Sequence, residues 1–280
     1  MDAILITGAS TGIGRAVAVD LARKGYVVFA GVRSASDAES LRGETLATLQ
    51  PVMLDITNPA HIADMRKLVS ESPHKLLGIV NNAGIVVSGP LECIAIDDLR
   101  RQFEINVFGH IAVTQACCDL LRKNKGRIVN VSSIAGRSTL PFVGAYSASK
   151  FALNVFSEAF RMELAPWGIH VAIIEPGSIA TPIWEKSISA AESEAGNYAS
   201  DKRALYQSAL EKIRESSKKS AARGISTDAV VKAVNHALFS QRPKTRYLIG
   251  SDATFRAWFS RLPDTWKEAL ILKKLGIAKT

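Results

Sequence analysis

The chain has 280 residues, of which 47% are hydrophobic and 22% are charged, a composition typical of a globular protein with a sizeable core. Its 35 lysine and arginine residues outnumber its 26 acidic residues and give a net charge of +9. No zinc-finger or RNA-motif pattern accompanies this charge, so we exclude nucleic acid and expect a phosphate-bearing small ligand.

The sequence also argues against a metal site and a secreted protein. Cys93, Cys117 and Cys118 lack metal-ligand spacing, and the N-terminal residues lack the pattern of a signal peptide. No apolar stretch reaches the roughly 18 residues that a membrane-spanning helix needs. We therefore expect a cytoplasmic protein without a structural metal.

A glycine-rich segment, Thr7-Gly8-Ala9-Ser10-Thr11-Gly12-Ile13-Gly14, follows the first predicted strand, and a helical apolar pattern follows it. Strand, glycine-rich turn and helix in this order are typical of a dinucleotide site. Glycines let a pyrophosphate approach the backbone, and the helix N-terminus supplies N–H donors. A tight turn without a ligand is the alternative, because the spacing differs from the most familiar fingerprint.

The second predicted strand, residues 26–32, is followed by Arg33 where NAD-binding sequences carry an acidic residue. A carboxylate there would repel the 2′-phosphate of NADP, whereas an arginine attracts it through charge-assisted hydrogen bonds. Arg33 therefore predicts NADP(H). A solvated loop arginine is the alternative.

Polar residues end the other predicted strands. The strand at 51–55 ends at Asp55, the strand at 75–80 leads into Asn81-Asn82-Ala83-Gly84, the strand at 126–131 leads into Ser132-Ser133, and the strand at 170–175 leads into Pro176-Gly177. Further helices are predicted near 62–69 and at 227–239, and a last strand at 246–249. This alternation predicts one α/β domain, residues 1–280, with a doubly wound parallel (Rossmann) sheet whose ligand site lies at the carboxyl ends of the strands.

Asn106 interrupts the apolar face of the long helix predicted over 97–121. Asparagine is disfavoured inside helices because its side chain competes for backbone hydrogen bonds. A buried Asn106 therefore predicts a local kink or a bound water.

Tyr146 and Lys150 lie four residues apart in the helix predicted over 144–167, so they share one face. A phenol has a pKa of about 10, and a nearby ammonium lowers it. A tyrosine tuned in this way exchanges protons with a substrate oxygen near neutral pH. An ordinary amphipathic helix is the alternative.

Residues 183–224 change in character. Trp184, Tyr198 and Tyr206 stand among polar residues, and a polar helix is predicted over 201–219. We interpret this segment as an excursion over the open side of the domain that forms a mostly apolar substrate pocket.

The C-terminal extension, residues 251–280, interleaves aromatic and basic residues. This pattern suits peripheral contact with a membrane surface or a place beside the substrate entrance. Packing on the body or on a partner subunit is the alternative.

Together these motifs resemble the short-chain dehydrogenase/reductase family over residues 2–250. The resemblance depends on Thr7-Gly8-x3-Gly12-Ile13-Gly14, Asp55, Asn81-Asn82-Ala83-Gly84, Asn106, Ser133, Tyr146-x3-Lys150 and Pro176-Gly177. The excursion and the tail are similar to those of members that act on steroids, retinoids and other lipophilic alcohols or ketones.

The resemblance implies four catalytic residues. Tyr146 would be the general acid/base, and Lys150 would bind the nicotinamide ribose and lower the pKa of Tyr146. Ser133, 13 residues before Tyr146, would hydrogen-bond the substrate oxygen, and Asn106 would hold a water linked to Lys150.

The resemblance also implies a set of cofactor contacts. Besides Tyr146 and Lys150, these are Gly8, Ser10, Thr11, Gly12, Ile13, Gly14, Arg33, Asp55, Ile56, Asn81, Asn82, Ala83, Pro176, Gly177, Ile179 and Thr181. Among them, Asp55 would meet the adenine, Asn81 the adenosine ribose and Thr181 the carboxamide end. NADP-preferring members often carry a basic residue where this chain has Thr11, so the NADP prediction depends on Arg33.

We therefore expect an NADP(H)-dependent oxidoreductase that moves a hydride between nicotinamide and a lipophilic secondary alcohol or carbonyl compound. A nucleotide-sensing protein that binds NADP(H) without turnover is the alternative. Epimerases and dehydratases are less favoured, because they generally show another glycine spacing and a larger C-terminal domain. The resemblance also implies a homodimer or homotetramer, built in part from the helices at 97–121 and 144–166.

Overall fold

Seven parallel strands form one sheet in the computed structural model, in the order β3-β2-β1-β4-β5-β6-β7. They are β1 (Asp2–Ile6), β2 (Val27–Val32), β3 (Leu49–Met53), β4 (Lys75–Asn81), β5 (Arg127–Val131), β6 (His170–Pro176) and β7 (Arg246–Ile249). The structure describes residues 1–196 and 198–275, so Asn197 of the excursion and residues 276–280 of the C-terminal extension lie outside the described residues.

Helices cover both faces and the open end of the sheet. They are α1 (Gly12–Arg23), α2 (Ala35–Arg42), α3 (Pro59–Glu71), α4 (Ile96–Phe103), α5 (Gly109–Asn124), α6 (Gly144–Leu164), α7 (Ile183–Gly196), α8 (Ser200–Ala222), α9 (Asp228–Phe239), α10 (Ser251–Phe259) and α11 (Asp264–Leu275). A π-helix, Glu104–Phe108, joins α4 to α5, and 3₁₀ turns lie at Ile134–Gly136 and Ala165–Trp167. Over the described part of the chain, no helix is long and apolar enough to cross a membrane.

The core consists of two apolar layers, one on each face of the sheet. Ile4 and Ile6 of β1 enter the layer formed with α1 and α9, whereas Leu5 enters the layer formed with α3 and α5. Successive residues of a strand point to opposite faces, so a sheet covered on both sides buries every residue of its central strands. The predicted doubly wound fold is therefore confirmed.

The predicted elements differ from the observed ones mainly at their ends. The third strand ends at Met53 rather than at Asp55, which instead lies in the turn that follows it. Helix α2, capped by Ser34 through a hydrogen bond from the backbone N–H of Asp37, was not predicted. The long helix predicted over 97–121 is broken by the π-helix, and the excursion contains two helices, α7 and α8, where one was predicted.

Candidate active site

The glycine-rich turn forms a narrow cradle between β1 and α1. Gly8 and Gly12 have φ angles of +64° and +58°, in the left-handed region that favours glycine. A Cβ on Gly14 would lie 2.2 Å from the carbonyl oxygen of Gly8. Thr11, at the N-cap of α1, makes no side-chain bond to the first-turn N–H groups. These donors remain available to an anion, so the cradle fits a pyrophosphate.

The loop after β4 braces this cradle. The Asn82 side-chain amide donates to the carbonyl oxygens of Thr7 and Gly8, over 3.1 and 2.9 Å. In return, the Thr7 hydroxyl accepts hydrogen bonds from the backbone N–H groups of Asn82 and Ala83. Asn82 and Ala83 thus hold the ends of β1 and β4 together, which the sequence analysis did not anticipate.

The predicted contact between Asn81 and the adenosine ribose stays a prediction, which the structure limits to the backbone of Asn81. The Asn81 side chain is 1% exposed, and its amide donates to Thr114 Oγ1 at 2.9 Å and Asn130 Oδ1 at 2.8 Å. It points into the sheet rather than toward the cleft. The side chains of Ile56 and Ile179 are also buried in the two apolar layers, so only the backbone of these residues can face a cofactor.

Arg33 and Asp55 lie at the ends of the neighbouring strands β2 and β3. The exposed Arg33 has no hydrogen-bond or ion-pair partner among the described residues. Burial acts to raise the pKa of Asp55, but hydrogen bonds from Thr57 and the charges of Arg33 and His61 outweigh it, so the pKa lies below its ordinary value. The free guanidinium beside a turn of polar groups fits a phosphorylated ribose.

The four predicted catalytic residues lie together at the carboxyl edge of β4 and β5. Ser133 follows β5, and its hydroxyl acts to lower the pKa of the Tyr146 phenol in the first turn of α6. The Lys150 ammonium lies 5.8 Å from the centre of the Tyr146 ring and donates to the carbonyl oxygen of Val131 at 3.0 Å. A Cβ on Gly84 would lie 3.4 Å from Asn106 Oδ1 and 3.8 Å from Lys150 Nζ, so this loop closes the group from the β4 side.

Asn106 lies in the π-helix, which confirms the predicted local distortion. Its side chain accepts from the N–H of Ile85 and donates to the C=O of Ile85 and to Ser149 Oγ. The amide therefore clamps the loop after β4 to α6. The water proposed for this residue stays a prediction.

Burial dominates the protonation of the catalytic pair. It raises the pKa of Tyr146 above its ordinary value, although the Ser133 hydroxyl and the charge of Arg256 act in the opposite direction. Burial also lowers the pKa of Lys150 to about 8. The expected net lowering of the phenol pKa is thus wrong for this structure, and the cation that counteracts the desolvation is Arg256 rather than Lys150.

The excursion lies over the open side of the site. Just before it, Thr181 lies beside the cradle, since a Cβ on Gly12 would lie 3.3 Å from Thr181 Cβ. Further along the chain, Tyr206 of α8 donates to Glu92 at 2.5 Å and packs edge-on against Phe142, two residues before α6. Lys202 forms an ion pair with the same Glu92 at 3.2 Å. Helix α8 is thereby attached to Glu92, in the segment between β4 and α4, and to Phe142, four residues before Tyr146.

Two buried polar residues of the site were missed by the sequence analysis. Gln102 is fully buried, accepts from the N–H of Val87 and donates to the C=O of Ile85. Glu175, at the end of β6, is fully buried between Arg137 and Arg246. A signal for Gln102 existed, since it stands four residues before Asn106 on one helix face. No such signal marked Glu175, because the sequence predicts only a strand there and its partners are distant in sequence.

Comparison with known proteins agrees with this geometry. The family model described as short chain dehydrogenase matches residues 2–192. The chain is 37% identical over 280 residues to "Dehydrogenase/reductase SDR family member 9" of Bos taurus, with 97% of this chain and 87% of that protein covered. It is 33% identical over 284 residues to "NADPH-dependent 3-dehydrocapnine reductase" of Ornithobacterium rhinotracheale, with 97% and 96% covered.

Solved structures match the whole chain. A short-chain dehydrogenase from Streptomyces avermitilis superimposes with a TM-score of 0.78 and 25% identity, covering 100% of this chain and 98% of that one. Another from Burkholderia cenocepacia, solved in complex with NADP, superimposes with a TM-score of 0.75 and 25% identity, covering 97% of each chain. The chain is also 34% identical over 269 residues to "Retinol dehydrogenase 5" of Mus musculus, with 89% of this chain and 81% of that protein covered. The chain therefore belongs to the short-chain dehydrogenase/reductase family, as an oxidoreductase with a nicotinamide cofactor.

Proposed function

We propose that the chain is an NADP(H)-dependent oxidoreductase that interconverts a lipophilic alcohol and its carbonyl compound. The observation that carries this proposal is the convergence of Asn106, Ser133, Tyr146 and Lys150 at the strand edge beside the glycine cradle. A protein that only binds a nucleotide has no need of a tyrosine paired with a serine and a lysine.

Each residue has a definite task in this proposal. Tyr146 passes a proton to or from the substrate oxygen, and Ser133 donates a hydrogen bond to the same oxygen as charge develops on it. Lys150 holds the ribose next to the nicotinamide, which supplies or accepts the hydride when bound. Asn106 keeps the loop after β4 in place, so that Gly84 and Lys150 retain their spacing.

The test measures NADPH oxidation with a panel of carbonyl compounds. Tyr146→Phe removes the proton donor, so we expect its kcat to fall about 100- to 10,000-fold while NADPH binding is retained. Lys150→Ala, in contrast, should both slow turnover and weaken NADPH binding. Tyr26→Phe is the matched control, because Tyr26 stacks on Phe239 away from the site.

Two outcomes would contradict the assignment. Equal turnover by wild type and Tyr146→Phe would remove Tyr146 from the mechanism. Tight NADPH binding by wild type, without turnover of any compound, would favour the nucleotide-sensing alternative.

We propose NADP(H) rather than NAD(H) because Arg33 is exposed, unpaired among the described residues and close enough to act on Asp55. The NADP in the Burkholderia cenocepacia structure and the name of the Ornithobacterium rhinotracheale reductase support this choice. Arg33→Ala should lower kcat/KM for NADPH about 10- to 100-fold, the scale of a charge-assisted contact, and leave NADH nearly unaffected. An equal loss with both cofactors would contradict it.

The proposal of a lipophilic substrate depends on the aromatic residues at and near α8. Phe142 and Tyr206 meet ring edge to face at 5.8 Å, and the Trp184 indole is anchored by a 2.9 Å hydrogen bond to Ile179 O. Aromatic walls of this kind bind apolar groups. Carbonyl substrates with long apolar chains should therefore show lower KM values than short-chain ones.

We also propose that two copies associate through α5 and α6. Phe151, Val155 and Phe156 of α6, together with Phe108 at the end of the π-helix that leads into α5, expose between 40% and 63% of their surface. Apolar patches of this kind mark protein interfaces. Val155→Asp should shift the mass measured by light scattering toward the monomer, and an unchanged mass would argue against this face.

A further inference from the structure

Helix α10 is docked onto the catalytic turn. Its buried residues Ala253 and Ala257 pack against Ile134, the neighbour of Ser133, and against Leu248 of β7. In its first turn, Asp252 accepts a 2.7 Å hydrogen bond from the backbone N–H of Ser178, just after β6. The C-terminal extension is therefore one wall of the site rather than a separate appendage.

This wall carries a cation, Arg256, one turn after Asp252. The partly buried guanidinium donates from Nη2 to Ser138, over 2.9 Å to the carbonyl oxygen and 3.3 Å to the hydroxyl. Both acceptors are neutral, and both use the same nitrogen. Ser138 in turn donates its N–H to Ile134 O, so the cation is joined to the turn of Ser133.

Arg256 lacks a full counter-charge within residues 1–196 and 198–275. None of the ion pairs found there includes it. The charged and titratable groups that act on it are Asp252, whose carboxylate holds Ser178, and the Tyr146 phenol. A partly desolvated guanidinium with unused Nε and Nη1 donors is a natural binding group for an oxyanion, which it can hold in bidentate fashion.

The sheet order shows which ligand would meet this cation. Arg33 follows β2, the cradle follows β1, Ser133 follows β5, and Arg256 comes after β7. A dinucleotide that runs from Arg33 across the cradle to Lys150 ends near Ser133 and Tyr146. Arg256 lies beyond that end, toward the β7 edge of the sheet.

We propose that Arg256 recognises a carboxylate or similar oxyanion on the substrate, which makes the preferred substrate an amphipathic oxo or hydroxy acid. This inference rests on the proposed function and narrows its substrate class. The apolar part of such a molecule lies against the aromatic walls under α8, and its acidic group pairs with Arg256. The family model matches residues 2–192, so Arg256 lies beyond the segment that this model matches.

The test compares long-chain oxo acids with their methyl esters, which keep the carbonyl group and the chain but lack the charge. We expect wild type to prefer the acids. Because its charge also acts on Tyr146 with either substrate, Arg256→Gln should slow both reactions, but it should lower kcat/KM for the acids about 10- to 100-fold more than for the esters, chiefly through KM. Arg256→Lys should restore part of the loss, and Arg261→Gln should be silent, because it removes the same charge from an exposed position of the tail.

Two results would overturn this inference. They are a preference of wild type for the esters and an equal loss of kcat/KM on acid and ester in Arg256→Gln. The equal loss would mean that Arg256 acts only through Tyr146.

Binding of a non-reacting long-chain fatty acid to the NADPH complex, measured by calorimetry, separates the two levels of the proposal. Binding that Arg256→Gln abolishes would support the subsite even if no compound turns over, in which case only the proposed function fails. Binding unaffected by Arg256→Gln, or no binding to wild type, would refute the subsite.

Discussion

Replacement of Glu175 by glutamine should destabilise the protein strongly, because it removes one negative charge that serves two arginines. The carboxylate is fully buried and accepts from Arg137 at 2.7 to 2.9 Å and from Arg246 at 2.6 Å. Asn154 also donates to it, at 3.2 Å. Glu175→Gln keeps the volume but leaves two guanidinium groups facing a neutral amide.

The size of the effect follows from burial. Removal of one partner of a buried ion pair costs about 3 to 5 kcal/mol. Because the two arginine side chains are each 25% exposed and can recover some hydration, we expect the lower end, about 3 kcal/mol. Glu158 supplies a matched control, since it pairs with the same Arg246 but its side chain is 45% exposed. Glu158→Gln should cost about 0 to 1 kcal/mol.

Equilibrium urea denaturation, followed by tryptophan fluorescence and circular dichroism in parallel, measures both variants. Unequal midpoints with equal slopes would give the difference in the free energy of unfolding directly. If the two substitutions cost the same, within about 0.5 kcal/mol, the buried network is not a determinant of stability and the reasoning is refuted. A matching loss of kcat in Glu175→Gln would show that the network also steadies the turn that carries Ser133.

Three further predictions concern the cradle, the lysine and the tail. Gly14→Ala should abolish NADPH binding in fluorescence titration, because its Cβ would lie 2.2 Å from a carbonyl oxygen, whereas Gly43→Ala, 3.4 Å from its nearest neighbour, should bind normally. The pKa of Lys150 is about 8 in the folded protein and about 10.4 in the unfolded chain, so the unfolded chain binds more protons between these pH values. The free energy of unfolding should therefore rise with pH over this range, by up to about 3 kcal/mol. Lys150→Met should lack this rise when urea midpoints at pH 7.5 and 9.5 are compared. An equal change of midpoint in wild type and variant would refute the assigned role of Lys150. Trp258 and Trp266 are 59% and 66% exposed beside basic residues, so their double replacement by alanine should reduce co-sedimentation with anionic vesicles, while equal sedimentation would discard the membrane contact.

The strands and the cradle could be predicted because their signals are local. Buried parallel strands are continuous apolar runs, and the turn after β1 needs glycine at Gly8 and Gly12 for their positive φ angles. The convergence of Arg33, Asp55 and Ser133 at one edge followed from the strand order that alternating elements imply. These parts of the site depend on chain order more than on packing.

The parts that could not be predicted depend on contacts between distant residues. Helix α2 buries only Ala38 and Leu41, so its sequence carries almost no apolar period. The inward turn of Asn81 follows from partners 33 and 49 residues away. The place of Arg256 beside the catalytic turn likewise requires the packing of α10 on Ile134, which no local pattern encodes.

The π-helix between α4 and α5 changes the direction in which side chains spaced four residues apart point around the helix axis. Gln102, Asn106 and His110 are spaced four residues apart and all bond the backbone of residues 83–87. In a regular α-helix each step of four residues overshoots a full turn by about 40°, so three such side chains fan out around the axis. The wider π turn takes up more residues per turn and reduces this overshoot. The π turn thus lets the Gln102, Asn106 and His110 side chains reach the same loop, and deletion of one residue from Glu104–Phe108 should turn them apart and free the loop.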